Sequence, residues 1–105
     1  MAYEVALQAL SDPTRRAIVE RLRETPLPVG QLAKGFPISR PAISQHLKVL
    51  TDAGLVTARP YGTRRVYQLA PRGFGDLRNY LDALWDDALT AYAEEARARA
   101  NGGPS

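Results

Sequence analysis

Residues 39–56 read SRPAISQHLKVLTDAGLV, and both ends of this stretch carry residues that start and stop helices. Ser39 is a good N-cap, Pro41 is tolerated in a first helical turn, and Ile38 ahead of the cap is placed to pack on Ile43. At the other end Gly54 supplies a left-handed exit, with Leu55 folding back on the last turn. On a helical wheel with Ser44 at zero, Ile43, Leu47 and Leu50 fall at about −100°, −60° and −120°. Arg40, Pro41, Gln45 and Lys48 fall at about −40°, +60°, +100° and +40°. One face is therefore core and the other is polar and cationic. A chain of 105 residues built around such a helix has room for a single hydrophobic core.

The flanking segments supply its partners. Val5, Ala6, Ala9 and Leu10 mark a short first helix, after which Asp12 as N-cap and Pro13 at the first helical position open a second helix that runs to about Arg23. Ala17, Ile18 and Leu22 are its expected inward residues, with Arg15, Arg16, Glu20 and Arg23 in water. TPLP breaks it. Val29, Leu32, Ala33 and Phe36 give a short third helix one apolar stripe, and Gly35 is its expected left-handed exit. Beyond the central helix, LVTARPYGTRRVYQL reads as two short strands around YGTR, with Gly62 in the turn and Pro60 on an edge. From Pro71 onward Leu77, Leu81, Leu84, Ala88 and Tyr92 recur every three or four residues in a long last helix. The expected fold is mainly α with a small β-hairpin: four helices, a β-wing and a long C-terminal fifth helix. Residues 1–100 form one domain and 101–105, NGGPS, a disordered tail.

Composition removes whole classes of function. The chain has no cysteine, which excludes disulfides, thiolate metal sites and cysteine nucleophiles. No signal sequence or membrane span is evident, so a cytoplasmic protein without membrane attachment is expected. No phosphate-cradling glycine loop, nucleophile–base pair or paired carboxylate set points to an enzyme or to a cofactor. The net charge is only +3, but residues 39–72 hold six basic residues and one acidic. The positive field is concentrated on the central helix and the hairpin.

Two helices joined by a tight turn, the second capped and followed at once by a basic hairpin, is the layout of a winged helix-turn-helix. Its chemistry suits double-stranded DNA. Arg40 can bond guanine O6 and N7 bidentately, Gln45 can pair with adenine, and Ser44 serves either base. Pro41 shares that arc, while Lys48, and the exposed first-turn N–H groups at Ser39 and Arg40, are placed for phosphates. Arg59, Arg64 and Arg65 of the hairpin would reach flanking backbone or minor groove. LSDPTRRAIVERL, SRPAISQHLKVLTDAGLV and GTRRVYQL together resemble the ArsR/SmtB family of small winged-helix transcriptional repressors, in particular its cysteine-free members, over roughly residues 5–95. That resemblance implies a homodimer on an inverted-repeat operator, released when an effector arrives, with DNA contacts at Arg40, Pro41, Ser44 and Gln45. The chain departs from metal-sensing members: PLPVGQLAKGF has no usual ligand and the last helix has no histidine. No metal site is expected, and the small-molecule effector is left open.

The lone histidine, His46, falls about 160° from Ser44 on the wheel, away from the polar arc. The expectation is a packed imidazole hydrogen-bonded inside the domain rather than a ligand or base contact. The stripe Leu77, Leu81, Leu84, Trp85, Ala88, Leu89 and Tyr92, with Tyr3, Leu7 and Leu10 of the first helix, exceeds what one small body needs and is the expected dimer interface. The alternative is a protein-interaction module that docks a different chain through this last helix without touching DNA.

Overall fold

The computed structural model describes residues 2–102. The chain runs α1 (Ala2–Ala9), α2 (Pro13–Glu24), β1 (Leu27–Pro28), α3 (Val29–Ala33), α4 (Arg40–Asp52), β2 (Val56–Tyr61), β3 (Arg64–Leu69) and α5 (Pro71–Asn101). Fourteen of the described residues are buried hydrophobics, among them Ala6 and Ala9 of α1, Ile18 and Leu22 of α2, Leu32 of α3 and Ile43, Leu47 and Leu50 of α4. Among the described residues no polar side chain is buried. The core is thus a junction of helix stripes closed from below by Leu55 and Val56.

Helix ends are tied locally. The Asp12 carboxylate accepts from the Arg15 N–H at 3.0 Å and starts α2. The Arg15 side chain reaches back to donate to the Ala9 carbonyl at 2.6 Å, and Arg16 donates to the Leu10 carbonyl at 2.8 Å. These guanidiniums satisfy carbonyls that the end of α1 leaves open. Arg15 is accordingly half-buried, not in water as its position on the wheel implied. Ala17 is exposed and Val19 is buried in its place, so the buried face of α2 is turned from the expected one. Val5 is exposed as well, leaving Ala6 and Ala9 as the inward residues of α1.

Gly35 does not make the expected left-handed exit, since the positive φ values belong to Gly54 and Gly62 among the described residues. Instead α3 ends by tightening: the N–H groups of Gly35 and Phe36 donate to the carbonyls of Leu32 and Ala33, each at 3.2 Å. The hairpin is as read, with Gly62 at φ 63° in a two-residue loop and Pro60 on the edge strand β2. A third strand joins it. Leu27 and Pro28, inside the segment read only as a helix breaker, pair antiparallel with Tyr67 and Val66, giving sheet order β1-β3-β2.

α5 is 31 residues long, about 46 Å, and only its first third touches the body. Leu77 is 8 % exposed and Gly73 is buried, but every residue from Leu81 to Gly102 is exposed. The molecule measures 74 × 25 × 23 Å with a radius of gyration of 19.9 Å, against about 13 Å for a compact chain of this length. The expected tail at 101–105 begins with Asn101 still helical and Gly102 capping the helix; residues 103–105 lie outside the described residues.

Candidate nucleic-acid interface

The candidate interface is built on α4. Ser39 adopts an extended φ of −67° and ψ of 155°, and its hydroxyl accepts from the Ala42 N–H at 3.2 Å. With the start so fixed, Ile43, Leu47 and Leu50 point into the core while Arg40, Pro41, Ser44, Gln45 and Lys48 lie exposed on the opposite side. The end is equally determined. The Gly54 N–H donates to the Thr51 carbonyl and the Leu55 N–H to the Leu50 carbonyl, both at 3.0 Å, with Gly54 at φ 74°. These two bonds make a Schellman motif, which a residue with a Cβ could form only under strain.

The wing follows within two residues. Arg59, Arg64 and Arg65 are exposed around its outer half, with Arg65 opposite Pro60 and Arg64 opposite Tyr61. Ser39 is exposed too, so all nine residues singled out for DNA in the sequence reach solvent. Lys48 is engaged in part: its Nζ lies 3.1 Å from the Asp52 carboxylate, a solvent-exposed pair that a phosphate can replace cheaply. Arg40 leans away from the arc. A Cβ built on Gly30 would meet the Arg40 guanidinium at 3.8 Å, so this side chain lies over α3 and faces the wing. There it shares a cleft with Arg64 and Arg65, and with Gln31 and Lys34 of the α3 region. Neither Gln31 nor Lys34 stood out in the sequence. The available signal was Lys34 as the one cation in PLPVGQLAKGF, a stretch read only for metal ligands.

His46 is half-buried on the flank of α4 and, among the described residues, its imidazole makes no hydrogen bond, contrary to expectation. Its position between the core arc and the polar arc leaves an imidazole edge in water. It lies near enough to Asp12 to act on it. The Asp12 carboxyl is held below its usual range first by the Arg15 N–H, then by the Arg15 guanidinium, with His46 a smaller contribution, against partial desolvation.

The residues expected at a dimer interface divide into two groups. Leu77 is buried in the chain's own core, Leu10 is half-buried, and Tyr3 stacks on Tyr80 at 3.9 Å between ring centroids. Leu7, Leu81, Leu84, Trp85, Ala88, Leu89 and Tyr92 stay exposed, Trp85 by 63 % and Tyr92 by 72 %. Asp82, Asp86 and Asp87 are exposed beside them, Asp82 3.6 Å from Arg78. Among the described residues, no helix is long and apolar enough to cross a membrane.

Residues 10–59 match a helix-turn-helix domain model. The chain is 64 % identical over 89 residues to the HTH-type transcriptional regulator Rv2034 of Mycobacterium tuberculosis, covering 85 % of this chain and 83 % of that protein. Among solved structures it is similar to an ArsR-like transcriptional regulator from Rhodococcus sp. RHA1, with TM-score 0.75, 31 % identity and coverage of 90 % and 92 % of the two chains. It is also similar to the homodimeric winged helix-turn-helix DNA-binding domain of Mb0332 from Mycobacterium bovis, with TM-score 0.66, 26 % identity and coverage of 84 % and 82 %. With the capped α4, the basic wing and the helix-turn-helix match in one chain, the protein belongs to the ArsR/SmtB family of winged helix-turn-helix transcriptional regulators.

Proposed function

We propose that the protein is a cytoplasmic repressor that binds an inverted-repeat operator as a homodimer. α4 enters the major groove, Pro41, Ser44 and Gln45 face base edges, and Ser39, Arg40 and Lys48 hold the lip of the groove. Arg59, Arg64 and Arg65 of the wing lie along the flanking backbone or minor groove. Two copies joined through α1 and α5 present two α4 helices to successive major grooves about 34 Å apart. A bound dimer represses by occupying promoter DNA, and a small-molecule effector that favours the free form would release it.

The observation that carries this reading is the continuity of one exposed surface: the polar arc of α4 runs into a wing whose arginines have no carboxylate partner among the described residues. The homodimer is supported by the Mb0332 neighbour and by the exposed stripe on α5. Selection of genomic fragments on the purified protein, followed by affinity measurement across salt, tests the proposal. Enrichment of a shared inverted repeat, with affinity falling steeply as salt rises, is expected. Absence of salt-dependent binding at any sequence, with retention of another protein on α5, would establish the interaction module instead.

A further inference from the structure

Between α3, the start of α4 and the wing lies a cleft of about 610 Å³. Lys34, Arg40, Arg64 and Arg65 line it, with Gln31 and Tyr67 between them, and no carboxylate does. Of the ten cations outside the cleft, six, Arg15, Arg21, Arg23, Lys48, Arg78 and Arg99, each lie within 4.0 Å of an Asp or Glu oxygen, and Arg16 donates to the Leu10 carbonyl. Among the described residues the four cleft cations make no such pair. Four like charges around one concavity repel one another, and their exposure means that packing returns nothing for it. A bound anion removes that repulsion, and a concave wall of low dielectric focuses the field on it.

We propose that this cleft is a binding site for a phosphate-type oxyanion, held jointly by Lys34, Arg40, Arg64 and Arg65. The guanidiniums supply planar forks of paired donors and Lys34 a point charge, with the Gln31 amide and Tyr67 hydroxyl as neutral donors. Two carriers bring this chemistry: a backbone phosphate of bound DNA, which rests on the function proposed above, and a soluble phosphorylated molecule, which does not. The volume lies within the range of small-ligand sites and exceeds what one phosphate fills. Because both carriers take the same space, the soluble one displaces DNA. Arg40 is thereby assigned to phosphate, not to the guanine contact that its position on the wheel indicated.

The test compares Lys34→Ala and Arg65→Ala, both at exposed positions, with Arg97→Ala far along α5, which removes the same charge outside the cleft. One arm titrates pyrophosphate into the full chain by calorimetry at constant ionic strength. The other measures duplex affinity across a salt series. The wild type and Arg97→Ala should bind pyrophosphate saturably, and each cleft variant should lose about tenfold in affinity. Each cleft variant should also lower the slope of log affinity against log salt by about 0.9, equally on operator and unrelated duplexes. A response in the DNA arm alone assigns the backbone as carrier, and in the pyrophosphate arm alone the soluble molecule; either upholds the site. If both cleft variants match Arg97→Ala in both arms, the site is overturned. A wild-type chain that binds no duplex at any salt defeats the DNA-binding reading, and the pyrophosphate arm then decides the cleft alone.

Discussion

Asp12 links a helix cap to acid stability. Its carboxyl is held below the usual range chiefly by the Arg15 N–H, so the folded state favours the ionised form relative to the unfolded chain. That contribution is complete above the unfolded value of about 4 and is lost as pH falls through the lower folded value. Asp12→Asn keeps an N-cap acceptor but not the charge. Its melting temperature, followed by circular dichroism, should fall less than that of the wild type between about pH 5 and pH 2; equal falls would remove the charge from the account. Both caps, Asp12 and Ser39, were legible in the sequence because a cap and its N–H partner lie three residues apart. Arg15 and His46 were not, because the Ala9 carbonyl and Asp12 that they meet belong to other parts of the chain. At the proposed reading surface, Gln45→Ala should cost about 1–3 kcal/mol on the preferred base and relax preference at one position per half-site. Competition among base-substituted duplexes measures this, and uniform weakening across them would make Gln45 a backbone contact.

The backbone approaches itself closely where α4 ends and α5 begins. The Gly73 N–H donates to the Gly54 carbonyl at 2.8 Å, and the Ala70 N–H to the Leu55 carbonyl at 2.9 Å. A Cβ on Gly73 would fall 2.6 Å from the Ala53 carbonyl oxygen, whereas one on Gly75, two residues further along α5, would meet nothing within 4 Å. Gly73→Ala should therefore destabilise by about 1–3 kcal/mol, while Gly75→Ala should stabilise by about 0.5–1 kcal/mol through helix propensity. Urea titrations of the two variants settle it, and equal effects would mean that the approach at Gly73 relaxes freely. Helices α2, α4 and α5 were readable because each carries a cap, a proline start or a long stripe. The strand Leu27–Pro28 was not: two residues show no alternation, and their partners Tyr67 and Val66 lie some forty residues away. Lys34 joined the cleft for the same reason, since nothing local places it beside a wing.

At the scale of the whole molecule, the outer two thirds of α5 stands clear of the body with its apolar stripe in water. An exposed face of that size marks an interaction surface. Leu84→Glu with Leu89→Glu alters positions exposed in the single chain, so the winged helix should keep its melting behaviour while light scattering reports 11.5 kDa instead of twice that mass. A double variant of unchanged mass would move the proposed dimer contact elsewhere. The stripe was legible because its period is helical; which of its residues serve the chain's own core was not, and Leu77 alone crosses to that side. In a dimer built on these arms, the hydrogen bond from Gly73 to Gly54 ties the first turn of the arm to the exit of the recognition helix. Each α4 is then a crank fixed to its α5 shaft. Twisting the paired shafts would then change the separation of the two cranks without touching a single base contact.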